Sequence, residues 1–262
     1  MLITLLTDFG TADYYVGAMK GAILSVNPEA RIFDLTHEIP PHDVQAAAFI
    51  LLASYKTFPP QTIHVAVVDP GVGSARRPLL LSVGGQFFVG PDNGLFTYIL
   101  ERERAARVIH LTRAEYFRQP LSATFHGRDI FAPVAGALSK GVAPAALGEE
   151  IEDYARLAPS LPVARDDGTL EGSIIHIDRF GNCVTNFTRD HVQGEMFARG
   201  ARILINEAEI GAFRRFYAET GAPASELFAI WGSAGFLEIS ANLDSAARRL
   251  KARRGQSIQL QR

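Results

Sequence analysis

A glycine-containing loop at residues 69–77 brings a carboxylate and a guanidinium into one short segment. Its sequence is Asp-Pro-Gly-Val-Gly-Ser-Ala-Arg-Arg, and it follows a β-branched run. The two glycines allow unusual backbone angles, so the loop can place Asp69 and Arg76 near one point. It lacks the Lys-Ser/Thr ending of a P-loop and the third glycine of a dinucleotide fingerprint. The pair could act on a small polar reactant, and a simple turn with surface arginines is the structural alternative.

Two further polar segments of the N-terminal half could contribute to the same chemistry. Asp8 lies in Thr-Asp-Phe-Gly, where its carboxylate could accept two hydrogen bonds from a ribose diol or could cap a helix. His126 lies in Phe-His-Gly-Arg-Asp and could be a general base, a ligand or a hydrogen-bonded structural residue. No two histidines have the helical spacing of a zinc motif. A metal site would need Asp8, Asp69 and His126 to assemble across loops.

The C-terminal half contains two polar turns suited to a purine-bearing ligand. The segment 176–182, His-Ile-Asp-Arg-Phe-Gly-Asn, combines a carboxylate, an aromatic ring and an amide. The ring offers stacking, and the polar groups fix orientation. The segment 231–235, Trp-Gly-Ser-Ala-Gly, precedes Asn242. A capped β-turn and a plain hairpin are the structural alternatives for these two segments.

Alternating strands and helices position the loops of the first half. The patterns predict strands at residues 2–6, 31–35, 62–68, 79–83 and 86–89, and helices at 13–26, 43–58, near Asn93 and near Asp129. In an open α/β sheet, ligands bind at the carboxyl ends of the strands, because loops and helix N-termini converge there. We therefore expect an α/β N-terminal domain with a Rossmann-like layered sheet, and a ligand site in these loops.

The second half changes to short strands with turn signals between them. Strands are predicted at residues 170–177, 183–187, 201–205, 227–231, 236–240 and 257–260. This spacing favours a small, mainly antiparallel β-barrel or sandwich. The stretch 141–168 is rich in proline and acidic residues and is predicted to be a surface connector. We therefore expect two domains, at residues 1–160 and 161–262.

Composition narrows the class of partner. The chain has 262 residues, is 47% hydrophobic, and carries 26 basic and 28 acidic residues for a net charge of −2. This balance gives no whole-chain attraction to nucleic acid or to an anionic membrane, so small-molecule partners are favoured. The apolar stretch 46–53 is far shorter than the roughly 20 residues of a membrane span. The start lacks the pattern of a signal peptide, and Cys183 is the only cysteine, so we expect a reducing cytoplasm.

Together these segments resemble the S-adenosyl-L-methionine hydroxide adenosyltransferases, the hydrolase relatives of fluorinase and chlorinase. The resemblance is carried by six motifs in order along nearly the whole chain. They are Thr-Asp-Phe-Gly at 7–10, Asp-Pro-Gly-Val-Gly-Ser at 69–74 with Arg76, Gly-Pro-Asp-Asn-Gly at 90–94, Phe-His-Gly-Arg-Asp at 125–129, Ile-Asp-Arg-Phe-Gly-Asn at 177–182, and Gly-Ser-Ala-Gly at 232–235 with Asn242. The resemblance implies an α/β domain, a β-rich domain, and a homotrimer that holds S-adenosylmethionine between subunits.

The resemblance also implies roles for individual residues. The hydrolases are marked by an Asp, Arg and His trio, which corresponds to Asp69, Arg76 and His126. The implied substrate-binding residues are Asp8 for the ribose hydroxyls, Phe180 and Asn182 for the adenine or sugar, Asp178 with Ser233 for the methionine end, and Asn93 and Asn242 within their motifs. Halide-using relatives have an aromatic residue where this chain has His42, so the ribose wall can differ.

The resemblance therefore implies an enzyme that hydrolyses S-adenosyl-L-methionine to adenosine and L-methionine. A water-derived hydroxide would attack C5′ in line with the departing sulfur, with no metal and no cofactor besides the substrate. In this hypothesis Arg76 supplies positive charge, while Asp69 and His126 orient the water and take its proton. The alternatives are a non-catalytic module that binds adenosine or S-adenosylmethionine, and a metal-dependent nucleoside-type hydrolase.

Overall fold

The chain divides into two compact units, Met1–Leu157 and Ala158–Arg262. The structure is a computed structural model that describes residues 1–103, 105–158, 161–219, 223 and 226–261. The domain boundary expected at residues 160 and 161 stays a prediction, and residue 160 itself lies outside the described residues. Within the described part of the chain, no helix is both long and apolar enough to cross a membrane.

A mixed sheet forms the centre of the first unit. Its strands are β1 (Leu2–Thr7), β2 (Arg31–Thr36), β3 (Ile63–Val67), β4 (Pro78–Val83), β5 (Gln86–Pro91), β6 (Arg107–Leu111) and β7 (Gly148–Glu150). They lie in the order β2-β1-β3-β5-β4-β6-β7. Strands β2, β1, β3 and β5 pair in parallel, whereas β4, β6 and β7 join through antiparallel pairs. Because Gly84 and Gly85 both have positive φ, the β4–β5 connection is a tight hairpin that turns the sheet antiparallel.

Four helices accompany this sheet in the described residues. They are α1 (Tyr15–Val26), α2 (Val44–Ser54), α3 (Thr97–Arg102) and α4 (Ala132–Ser139). Asp43 caps α2 by accepting a hydrogen bond from the Ala46 amide at 2.9 Å. This helix ends at Ser54 and continues as a 3₁₀ turn over Tyr55–Thr57, so the predicted helix at 43–58 is shorter than expected.

The core of the first unit lies between the sheet and the pair α1 and α4. Fully buried side chains from all three elements meet there, among them Ile3, Leu5, Met19, Ile23 and Val134. Gly136 lets the two helices approach, because a Cβ at this position would lie 2.8 Å from the Cβ of Val26. Burial of each large aliphatic side chain contributes about 1.5–3 kcal/mol. This packing holds the carboxyl ends of the parallel strands in place.

The second unit is a mainly antiparallel β structure. Its elements are β8 (Val163–Ala164), β9 (Leu170–Ile177), β10 (Cys183–Thr188), α5 (Glu195–Ala198), β11 (Arg202–Ile205), β12 (Ala208–Ile210), β13 (Ala212–Phe213), β14 (Leu227–Trp231), β15 (Phe236–Ala241), α6 (Ala246–Leu250) and β16 (Ser257–Gln261). The strand order is β12-β11-β16-β9-β10-β15-β14-β13, with β8 on β9. Among the described strands of this unit, only β13 and β14 pair in parallel.

Alternation along β15 separates the apolar core of this unit from a polar face. Leu237, Ile239 and Ala241 lie in the core, while Glu238 and Ser240 alternate with them. Cys183 at the start of β10 belongs to the same core, and burial raises the pKa of its thiol to about 12. Two sheets with helices therefore agree with the coarse fold class expected from the sequence.

Several short strands were not predicted from the sequence patterns. Strands β7 and β8 lie inside the stretch 141–168, which was expected to be a surface connector. Strand β6 was also not predicted, and it pairs with β4 and β7. The sequence of β7, Gly-Glu-Glu, has no apolar alternation, because an edge strand can expose its side chains while its backbone pairs.

Candidate active site

Asp69 and Arg76 form a buried ion pair at the carboxyl end of β3. Asp69 follows β3 and Arg76 precedes β4, so the two strands hold the ends of the loop. The Nε of Arg76 donates to Oδ1 of Asp69 at 3.0 Å, and its Nη2 donates to Oδ2. The side chains are 8% and 5% exposed, respectively, so more than nine-tenths of each is out of solvent. Such two-point pairing fixes both groups and neutralises their buried charges.

His126 joins this pair through the same guanidinium. Nη2 of Arg76 lies 2.9 Å from Nδ1 of His126. Because arginine stays protonated and can only donate, Nδ1 accepts this bond, and the neutral imidazole carries its proton on Nε2. Burial lowers the pKa of His126, and the positive charge of Arg76 lowers it further. The structure thus brings the three residues of the predicted trio together, with His126 held as a neutral hydrogen-bond donor.

The Arg76 guanidinium also lies near an aromatic ring, and one of its nitrogens has no hydrogen-bond partner among the described residues. Its Cζ lies 5.3 Å from the ring centroid of Phe131. Its Nη1 is buried and has no hydrogen-bond partner among the described residues. A buried N–H without a partner is rare in proteins, and it marks a position where water or an anionic oxygen would be bound.

Two glycines allow the loops that carry the trio to pack closely against neighbouring segments. Gly73 has φ +79°, and a Cβ there would overlap the carbonyl oxygen of Ala123. The loop 69–76 therefore packs directly on the segment before His126. Gly127 lies at the start of a π turn, Gly127–Phe131, that leads into α4, and a Cβ there would lie 3.2 Å from Sδ of Met19.

A cavity of about 260 Å³ opens beside the trio. Its polar lining includes the carboxylates of Asp8 and Asp69 and the imidazoles of His42 and His126. Oδ2 of Asp8 accepts a hydrogen bond at 2.8 Å from the amide of His42, which has φ +66°. Arg76 is not part of the lining, so it lies behind Asp69 and His126 as seen from the cavity.

Asn93 is separate from this cavity. Its Nδ2 donates to the carbonyl of Val68 at 2.8 Å, and its Oδ1 accepts from the amide of Leu95 at 3.2 Å. Both ends of the amide therefore hold the backbone that follows β3 and precedes α3. Asn93 supports the loop that carries Asp69, and the structure does not place it in the cavity lining.

In the second unit, the predicted ligand residues line one cavity of about 850 Å³. These residues are Asp178, Phe180, Asn182, Ser233 and Asn242. Oδ1 of Asp178 accepts from the amides of Phe180 and Asn182, at 2.9 and 2.8 Å. Its Oδ2 accepts from Nδ2 of Asn182 at 2.8 Å. Asp178 therefore caps this turn while it lines the cavity, and the Phe180 ring is 77% exposed.

The same cavity contains polar residues that sequence analysis missed. Glu238 and Tyr217 both line it, and the Tyr217 hydroxyl donates to Oε2 of Glu238 at 3.3 Å. Burial raises the pKa of Glu238, and the nearby charge of Asp178 raises it further. The available signal was a charged residue within the otherwise apolar run of β15. Tyr15 in the first cavity was likewise missed, because it lies within the predicted helix 13–26 and belongs to none of the six motifs.

The described residues contain no group of three or more His, Cys, Asp or Glu side chains placed to hold a metal ion. Asp8, Asp69 and His126, which the metal-dependent alternative uses, line one cavity but do not form such a group. The side chains that converge at the first cavity are suited to orienting a water molecule and a positively charged or polyhydroxyl ligand.

Comparison with known proteins agrees with this geometry. The sequence model of the SAM hydroxide adenosyltransferase N-terminal domain matches residues 3–148, and that of the C-terminal domain matches residues 172–259. This chain belongs to the SAM hydroxide adenosyltransferase family. The family resemblance expected from the six motifs is therefore confirmed.

Relatives of known name support membership in the hydrolase branch. The chain is 38% identical over 261 residues to "(R)-S-adenosyl-L-methionine hydrolase" of Methanocaldococcus jannaschii, covering 95% of this chain and 91% of that protein. It is 38% identical to the protein of the same name from Thermus thermophilus, covering 97% of each. A fluorinase of Actinopolyspora mzabensis is 22% identical, covering 100% of this chain and 97% of that protein.

A solved structure has the same fold. The crystal structure of an uncharacterized conserved protein from Thermotoga maritima aligns with a TM-score of 0.89 at 35% identity. The alignment covers 100% of both chains. The similarity to this solved structure thus extends over the full length of the chain.

Proposed function

We propose that this chain hydrolyses S-adenosyl-L-methionine to adenosine and L-methionine. The observation that carries the proposal is the hydrogen-bonded cluster of Asp69, Arg76 and His126 beside a cavity that also contains Asp8. The 38% identity to two proteins named as hydrolases of this substrate supports the same conclusion. A module that only binds the ligand would have no need for a buried trio of this kind.

The proposed reaction is a single displacement at carbon. Water attacks C5′, the C5′–S bond breaks with its electron pair moving to sulfur, and a proton is released. Methionine leaves as a neutral thioether, so the leaving group needs no general acid. Positioning of the two reactants can contribute up to about 7–11 kcal/mol. The remaining requirement is to make water a better nucleophile.

The hydrogen bonds of the trio support a separate role for each of its three residues. Nδ1 of His126 is occupied by Arg76, so the imidazole is a donor to the attacking oxygen through Nε2. The carboxylate of Asp69 retains free lone pairs and accepts the proton that water loses. Arg76 stabilises the developing negative oxygen from behind both groups. In the sequence hypothesis His126 also took the proton, and this arrangement gives that task to Asp69 alone.

The other predicted residues complete the proposal. Asp8 binds the ribose hydroxyls in the first unit. In the second unit Phe180 and Asn182 bind the adenine or sugar, and Asp178 with Ser233 binds the methionine end, near Asn242. We include a homotrimer with sites between subunits, no cofactor, a cytoplasmic location and a Rossmann-like first unit, which its four parallel strands support.

The stereochemistry of the substrate follows from the names of the relatives. Because "L" already fixes the α-carbon, the descriptor (R) in those names refers to the sulfonium. We extend this preference to the present chain. In-line attack on C5′ requires the methyl and methionyl groups on sulfur to fit one arrangement around the cavity.

The test is incubation with each sulfonium epimer in ¹⁸O-labelled water, followed by mass spectrometry of the products. We expect adenosine with the label at the 5′ oxygen, faster release from the (R) epimer, and the same rate after exhaustive chelation. Unlabelled adenosine would exclude attack by solvent on C5′. Loss of activity on chelation would favour the metal-dependent alternative, and tight binding without product would favour the binding module.

A further inference from the structure

Three aromatic rings form one wall of the first cavity, and the proposed chemistry does not use them. Phe9, Tyr15 and Phe125 all line this cavity. Their ring centroids lie 5.6 Å apart for Phe9 and Tyr15, 5.9 Å for Phe9 and Phe125, and 5.2 Å for Tyr15 and Phe125. Each ring therefore contacts the other two. We call these three residues the aromatic wall.

The charged groups around the aromatic wall favour a cation. Arg76 balances the charge of Asp69 from behind, whereas Asp8 is a carboxylate with no lysine or arginine beside it in the described lining of this cavity. Aromatic faces carry negative electrostatic potential and attract cations within about 6 Å. Arg128 already uses one such face, with its Cζ 5.2 Å from the centroid of Phe125. The cavity as a whole is thus suited to a ligand with positive charge.

We propose that the aromatic wall selects the positively charged sulfonium of the substrate over neutral thioethers of similar shape, with Tyr15 as the specificity-determining residue. The inference rests on the proposed function for the identity of the substrate. Sulfur is bonded to C5′, the atom that water attacks beside Asp69 and His126. The sulfonium therefore has to lie within a few ångströms of the trio, in the same small cavity as the rings.

The same contact has a consequence for the reaction. The positive charge on sulfur is lost as the C5′–S bond breaks, so attraction to the rings is stronger in the bound substrate than in the transition state. Such an interaction lowers KM and does not raise kcat. It also weakens when methionine forms, which favours release of the product.

Tyr15 is the ring best suited to a test, because it is 36% exposed, whereas Phe125 is 6% exposed. A matched control lies next to it. Tyr14 stacks on Tyr15 with centroids 4.6 Å apart and planes 29° apart, but Tyr14 does not line the cavity and is 66% exposed. Removal of either ring disturbs the same stack, and only removal of Tyr15 takes a ring from the cavity.

Two ligands without a hydrolysable sulfonium measure the selectivity without turnover. Sinefungin carries an ammonium-bearing carbon in place of the methylsulfonium, and S-adenosylhomocysteine carries a neutral thioether. Calorimetry with the full chain gives the ratio of their dissociation constants. We expect wild type to prefer sinefungin, Tyr15→Leu to reduce that preference about 5-fold or more, and Tyr15→Phe and Tyr14→Leu to retain it. In turnover, Tyr15→Leu should raise KM for S-adenosylmethionine and leave kcat undiminished.

An unchanged ratio in Tyr15→Leu, or an equal loss in Tyr14→Leu, would overturn the proposal and show that the rings serve packing alone. If circular dichroism shows that Tyr15→Leu is unfolded, Phe9→Leu takes its place with the same expectation. Failure of the wild-type chain to release adenosine would instead contradict the proposed function, because the binding ratio is measured without the reaction.

Discussion

At the scale of single residues, the proposed reaction involves Arg76 only through its neighbours. Its guanidinium donates to Asp69 and to His126. Both of these partners line the cavity, whereas Arg76 itself does not. One side chain therefore fixes the orientation of a carboxylate and the tautomer of an imidazole. In the proposed reaction, this charge behind two hydrogen-bonding groups would stabilise the attacking oxygen electrostatically in a poorly solvated site.

Replacement of Arg76 by Ala should lower kcat by roughly 100-fold, as loss of a preorganised donor does in other enzymes. The variant also leaves Asp69 buried without its partner, so stability has to be measured alongside activity. Arg76→Lys is the matched control, because it keeps a charge and loses the paired geometry, and we expect an intermediate rate. Steady-state kinetics on variants with melting temperatures above the assay temperature make the comparison. An unchanged kcat in Arg76→Ala would contradict the assignment.

The pKa of His126 gives a second prediction at this scale. Burial and Arg76 lower this pKa below the ordinary value of 6.5, so the neutral imidazole persists to lower pH. Since the proposal needs neutral His126 as a donor from Nε2, the acid limb of kcat/KM should lie below pH 6.5. His126→Asn should have a lower rate and should lack that limb. A limb at or above pH 6.5 in wild type, retained in the variant, would assign it to another group.

At the scale of elements, the approach of two loops assembles the trio. Gly73 lies in the loop between β3 and β4 with φ +79°, against the carbonyl oxygen of Ala123. No side chain fits this contact, and L-residues pay about 1–2 kcal/mol for a left-handed backbone. The close contact is the reason why residues from two distant segments of the chain meet.

Gly73→Ala should therefore separate the loop 69–76 from the segment before His126 and lower kcat/KM by about 10-fold or more, from strain and displacement together. Gly71→Ala is a control within the same loop, because a Cβ at Gly71 would make ordinary contacts of 3.5 Å or more. We expect this control to remain within about 2-fold of wild type. Equal effects of the two substitutions would show that the loop contact does not determine activity.

The sequence predicted most of the elements whose residues face a core, with β6 as an exception, and it missed short edge strands whose residues do not. The buried strands β1 and β3 and the helix α1 follow clear apolar patterns, and their positions agree with expectation. The helix expected near Asn93 begins instead at Thr97, because the Asn93 side chain binds the backbone on both sides of the turn. The edge strand β7 has no apolar pattern that could reveal it.

The residues of the candidate site were predictable only in part. Motifs pointed to Asp8, Asp69, Arg76 and His126, which the structure brings to one cavity or directly behind it. Tyr15 was missed, because ring contacts between Tyr15 and Phe125 depend on how distant segments pack. The functional assignments of these residues stay predictions until the variants are measured.

At the scale of the whole molecule, a buried histidine links stability to pH. His64 on β3 is 1% exposed, and its Nδ1 and Nε2 bond Thr4 at 2.8 Å and Gln86 at 3.2 Å. Burial lowers the pKa of His64 to about 4. Between pH 6.5 and about pH 4 the unfolded chain therefore binds a proton that the folded chain does not.

The free energy of unfolding should consequently fall by up to about 3 kcal/mol from His64 alone as the pH falls from 6.5 to 4. Urea unfolding of wild type and His64→Gln at several pH values measures this. We expect the free energy of unfolding to decline less steeply with falling pH in the variant. At pH 8, where His64 is neutral in both the folded and the unfolded chain, the difference in this free energy between the two proteins gives the loss from packing. Parallel declines in the two proteins would mean that other groups cause the acid sensitivity.

The proposed homotrimer is also a prediction about the whole molecule. Sedimentation equilibrium should give a mass about three times that of the 28.5 kDa chain. Because the proposed site draws residues from two subunits, activity per chain should fall when the protein is diluted below the concentration at which the trimer dissociates. Full activity in a species of single-chain mass would contradict the shared site.

The inert thiol of Cys183 has a practical consequence for spectroscopy. It is the only cysteine of the sequence, it is buried, and its pKa of about 12 keeps it protonated at neutral pH. Thiolates, not thiols, react with maleimide dyes, so the native chain offers no competing attachment point in its folded state. A single cysteine introduced at an exposed position would therefore carry one fluorophore at a known place. Energy transfer between two such dyes, one in each unit, would test whether the distance between the dyes changes during turnover.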